Sequence, residues 1–165
     1  MTNGEQKANA ELGELFSKWK TEHRELNTQL IDISRWMNDA SNRSLPTYEA
    51  AISRLMQLQQ KLEQHFEHEE KLGYLLARSR GSSTVEIDAV SRQVDRDHRT
   101  LAARLEAIIG LLELGQPAGD SWPDIVVEFN LFIDALEQHE EQEESSVSWL
   151  RCIAPTTLPG SEGAP

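Results

Sequence analysis

The chain has 165 residues, 38% hydrophobic and 27% charged, which suits one soluble domain able to enclose a core without disulfides. A formal charge of −12 argues against nucleic acid or an anionic membrane as partner, because both need clustered Lys and Arg. The one cysteine, Cys152, cannot form an internal disulfide, and neither a leader nor a run near the ~20 apolar residues of a bilayer span is seen, so a reducing cytoplasmic setting is expected.

The first element is predicted over 11–38. Its apolar residues Leu12, Phe16, Trp19, Leu26, Leu30, Ile33 and Met37 recur at steps of three and four, one face of a helix. His23 fills the gap between Trp19 and Leu26. The stretch DASNRSLP (39–46) collects turn formers, and Thr47 after Pro46 opens a second helix, 47–77. Ile52, Leu55, Leu58, Leu62, Leu72 and Leu76 form its stripe, with His65 and Glu69 in the gap. RSRGSS (78–83) is the next break. Ser83 with Glu86 then has capping-box spacing for a third helix, 84–114. That helix carries Ile87, Val90, Val94, Leu101, Leu105, Ile108 and Leu112, interrupted by His98. GQPAGDSWP (115–123) leads through Ser121, Pro123 and Asp124 into a fourth, 122–150. Its stripe of Ile125, Phe129, Phe132, Leu136, Val147 and Leu150 is broken by His139 and Glu143. Residues 151–165, rich in Pro, Gly and small side chains, read as a loose, flexible C-terminal tail. Nothing alternates as a strand does. Four helices with short connections imply an all-α, antiparallel up-down-up-down four-helix bundle over 11–150.

The interruptions carry the chemistry. Six ionisable side chains point at the bundle axis, and a buried ionised carboxylate is costly unless paired, protonated or metal-bound. His23 and His65 are separated by almost the same interval as His98 and His139, so the chain reads as a duplicated helical hairpin. At about 1.5 Å per residue, antiparallel packing brings the four histidines to similar heights. Each glutamate lies four residues beyond a histidine and shares its face. A layer of four imidazoles and two carboxylates suits two ions of iron, zinc, copper or manganese rather than calcium or magnesium. Other polar residues have plainer readings. Glu67, Glu70, Glu140, Glu141 and Glu144 read as a solvated charged face, His68 as a neighbour of the layer or a surface residue, and Trp19 as core packing. Asp97 is marginally placed to orient His98, and Cys152 reads as a bystander.

The order His23, His65-x-x-x-Glu69, His98, His139-x-x-x-Glu143 resembles the hemerythrin-like, or HHE cation-binding, domain. The strings EHREL, HFEHEE, DHRTL and QHEEQEE are similar to its four motif helices over about residues 12–150. The resemblance implies two iron ions in a non-haem di-iron centre with a solvent-derived bridge. It implies His23 and His65 on one iron, His98 and His139 on the other, and Glu69 and Glu143 bridging both. Two departures from the oxygen-carrying members stand out. Ala102 occupies the place of their second third-helix histidine, and Glu143, with Glu144 as competitor, replaces a final Asp. The expected function is binding or sensing of dioxygen or nitric oxide. The alternative is a di-iron redox enzyme acting on peroxide, iron or nitric oxide, or an iron donor for iron–sulfur cluster repair. A bundle without metal would leave the inward glutamates unexplained.

Overall fold

The computed structural model describes residues 3–42, 47–79, 84–114 and 122–152. They form α1 (Asn3–Asn42), α2 (Tyr48–Ser79), α3 (Thr84–Leu114) and α4 (Trp122–Cys152). Every described residue except Thr47 is helical, and no strand occurs among them. Packing runs α1 on α2, α2 on α3, α3 on α4 and α4 back on α1, closing the expected four-helix bundle.

The helix starts follow from local chemistry. Thr47 lies just outside α2, and its carbonyl accepts the Ala51 N–H at 3.0 Å, the first bond of that helix. Pro123 stands in the first turn of α4, where a missing N–H removes no helical bond. The structure corrects the predicted start of α1, which begins at Asn3 rather than near residue 11. Glu5, Gln6, Lys7, Ala8 and Ala10 favour a helix intrinsically but carry no apolar stripe for a periodicity reading to find. Helix α4 continues to Cys152, just inside the expected tail. Ser83 and Ser121, the proposed entrances of α3 and α4, and 153–165 lie outside the described residues, as do the side chains of Ile87, Val90, Val147, Leu150 and Cys152.

Among the described residues, two apolar clusters fill the interior. The larger holds Leu26, Leu30, Leu55, Leu58, Leu62, Leu105, Ile108, Phe129, Phe132 and Leu136, among others. It is closed at one end by Trp122, which packs edge-on against Trp36 and Tyr48 and donates its indole N–H to the Met37 carbonyl at 3.3 Å. The smaller comprises Trp19, Leu72 and Leu76, with Leu12, Leu15 and Phe16 against them. In α1, His23 lies between the two clusters, and in α2 His65 and Glu69 fall where the larger gives way to the smaller.

Candidate metal centre

The buried stripe of each helix delivers its donors to this gap. His23 comes from α1, His65 and Glu69 from α2, His98 from α3, and His139 with Glu143 from α4, so all six expected side chains converge. They are joined by Glu140. Two groups result: His23, His65, Glu69 and Glu140; and Glu69, His98, His139 and Glu143. Within each, one ligand atom per residue lies within 4.8 Å of the others.

Glu69 belongs to both groups and divides its oxygens between them. Its Oε1 lies 3.0 Å from His23 Nε2 and 2.9 Å from His65 Nε2, while its Oε2 lies 3.3 Å from His98 Nε2 and 3.9 Å from His139 Nε2. Glu140 faces His23 and His65, its Oε1 3.2 Å from His65 Nε2. Glu143 Oε1 stands 3.8 Å from both His98 and His139. The fourth-helix carboxylates are therefore distributed differently from the expectation. Glu143 does not stand between the groups as Glu69 does, and Glu140 takes the first group.

The reading of Glu140 as part of a solvated face is corrected: its side chain is only 18% exposed. A helix turns about 100° per residue, so Glu140 is rotated from His139 towards the neighbouring α1. The signal was present, since Glu140 lies four residues after buried Leu136 and three before Glu143. It was hidden inside the acidic run HEEQEE. The corresponding place in the first half is Phe66, stacked on His98 with ring centroids 3.9 Å apart.

His65 and Glu69 side chains are 1% exposed. Trp19 packs the core as expected and also donates its indole N–H to Glu69 Oε1 at 2.8 Å, its ring 4.2 Å from His23. His68 joins neither group and contacts Lys18 and Glu22. Asp97 accepts from Gln93; the carboxylate on His98 Nδ1 is Glu70, at 3.0 Å. Glu67, Glu141 and Glu144 are exposed. A cavity of about 310 Å³ between α1 and α4 reaches His23 and Glu140 past Leu26, Leu30 and Leu136.

The donor set fits a metal. His65 Nε2, Glu69 Oε2 and Glu140 Oε1 are buried and make no hydrogen bond, although nitrogen and oxygen atoms crowd around them. Lone pairs converging without a proton geometry between them are what a cation requires, and imidazole with carboxylate suits iron, manganese, zinc or copper. Without a cation, protons neutralise the site. Burial opposes charge on His65, but the close carboxylates of Glu140 and Glu69 outweigh it and raise its pKa to about 10. His23 and His98 are raised against the same opposition from burial, by Glu140 and Glu69 and by Glu69 and Glu70 respectively. Burial would raise Glu69, yet the imidazoles of His139, His23, His65 and His98 close around it hold it far below the usual carboxylate range. Burial would raise Glu140 as well, but the adjacent imidazoles of His23 and His65 lower it. Burial and the neighbouring charge of Glu69 push Glu143 up to about 10, so it keeps a proton.

A family model described as hemerythrin HHE cation binding domain matches residues 14–148. Neither a curated protein nor a solved structure matches the chain.

Proposed function

The chain belongs to the hemerythrin HHE cation-binding domain family, and from that premise we propose that it is a non-haem di-iron protein that binds or senses dioxygen or nitric oxide. The supporting observation is a buried layer of four imidazoles and three carboxylates, arranged as two donor groups with Glu69 in common. In this reading His23, His65 and Glu140 hold one iron, His98, His139 and Glu143 hold the other, and Glu69 serves both. When bound, iron would supply redox-active, Lewis-acidic positions able to take a diatomic ligand. Four protein donors per ion leave further positions for solvent and ligand.

The other residues would control access and water. Trp19 fixes the Glu69 carboxylate through its N–H, and Phe66 covers one face of His98. The α1–α4 cavity sets Leu26, Leu30 and Leu136 among polar residues that include Arg24, Asn27 and Glu137, and it would admit a small molecule to His23 and Glu140. That opening also favours a second reading, redox turnover of a small oxidant such as peroxide at the same centre. No described helix is long and apolar enough to cross a membrane.

Anaerobic reconstitution followed by metal analysis and optical spectroscopy tests the proposal. Near two iron atoms per chain are expected, with a spectral change under air or nitric oxide that reverses under argon. Absence of bound iron overturns it. Irreversible bleaching with loss of peroxide supports the redox enzyme instead.

A further inference from the structure

The four histidines all direct Nε2 at the donor groups, and two of them rest their other ring nitrogen on a carboxylate outside those groups. His98 Nδ1 lies 3.0 Å from Glu70 Oε1, and His65 Nδ1 lies 3.4 Å from Glu22 Oε2. An ionised carboxylate only accepts hydrogen bonds, so in each contact the imidazole nitrogen must be the donor. A proton fixed on Nδ1 leaves the Nε2 lone pair free to face the centre.

The same local device produces both contacts. Glu22 immediately precedes His23, and Glu70 immediately follows Glu69. A residue beside an inward donor is turned about 100° from it, to the flank of its helix, where it meets the next helix. Glu22 thus reaches from α1 to His65 on α2, and Glu70 from α2 to His98 on α3. Glu22 is itself held by His68 Nδ1 at 2.9 Å and by Lys18 at 3.7 Å, which limits its freedom to swing into solvent.

Building on the metal reading above, we propose that Glu22 and Glu70 are positioning residues, one for each metal position. They set the tautomer and ring orientation of His65 and His98. Each also makes its imidazole a stronger donor, the role a carboxylate behind a metal-bound histidine generally plays. Neither touches the reacting centre.

The full-length chain, freed of metal, is titrated with Co²⁺ against a colorimetric chelator while circular dichroism follows the fold. Glu22→Ala and Glu70→Ala are each expected to weaken one of two Co²⁺ equivalents about 10- to 100-fold. Glu22→Gln and Glu70→Gln, which keep an amide oxygen for the Nδ1–H, should recover most of that loss. In the Zn²⁺-loaded chain, ¹⁵N imidazole shifts should show His65 and His98 protonated at Nδ1. Wild-type affinity in both alanine variants overturns the assignment. A folded glutamine variant no better than its alanine counterpart does so as well, as does a metal bound at Nδ1. A wild-type chain that takes up no Co²⁺ overturns the metal reading itself, and that failure is visible before any substitution is made.

Discussion

Glu69 keeps a negative charge in a nearly sealed interior because imidazoles from all four helices and the Trp19 indole surround it. Replacing it should therefore remove both metal positions at once, whereas Glu140→Ala and Glu143→Ala should each remove one. Metal analysis of the three variants separates these outcomes. Protonation is the competitor of metal uptake. His65 holds its proton up to about pH 10 against 6.5 when unfolded, and Glu143 to about 10 against 4.5. Both pKa values are raised, so their contributions to metal-free stability are complete below the unfolded values and disappear as pH rises towards 10. Glu69 and Glu140 are lowered; theirs are present above 4.5 and vanish in acid. The metal-free chain should lose thermal stability between pH 7 and 10, the loaded chain much less. Loading should release protons, with apparent affinity rising over that interval, as calorimetry in two buffers can show. Six of the seven inward donors were legible because each breaks an apolar stripe. Glu140 was not, because adjacent acidic residues on a helix look alike until the neighbouring helix selects one.

The helices divide the labour unevenly. Below the polar layer the large cluster packs leucines and phenylalanines with no exposure to speak of, and Leu105 is wholly buried in it. Leu105→Ala should lower stability by about 2–5 kcal/mol in urea unfolding, through lost contacts and the cavity left behind. Above the layer, Trp19, Leu72 and Leu76 form a second cluster among the described residues, a cap that meets the site through the Trp19 indole. Metal removal should therefore speed amide exchange around this cap while the large cluster stays protected. Gly73 lies in exposed helix with open space where a side chain would stand, so Gly73→Ala should add up to ~1 kcal/mol. Where the side chains are described, the interior stripes of these elements were readable from the sequence. Their ends were less so, since propensity alone carried the first turns of α1.

Across the whole molecule, the bundle followed from counting apolar stripes and the short breaks between them, and the common height of the histidines followed from antiparallel packing. What no spacing rule supplied was the asymmetry between the halves. Phe66 and Glu140 hold equivalent places in the repeated hairpin, yet one shields an imidazole and the other faces two of them. The cavity between α1 and α4 opens on the Glu140 side, so an incoming molecule would meet the first group before the second. Glu69 adds a consequence of its own. Were two ions to bind, the first would fix that carboxylate's rotamer and displace protons from around it, leaving a half-built cage for the second. Filling is expected to be cooperative, with singly loaded chains scarce in native mass spectra taken at substoichiometric iron.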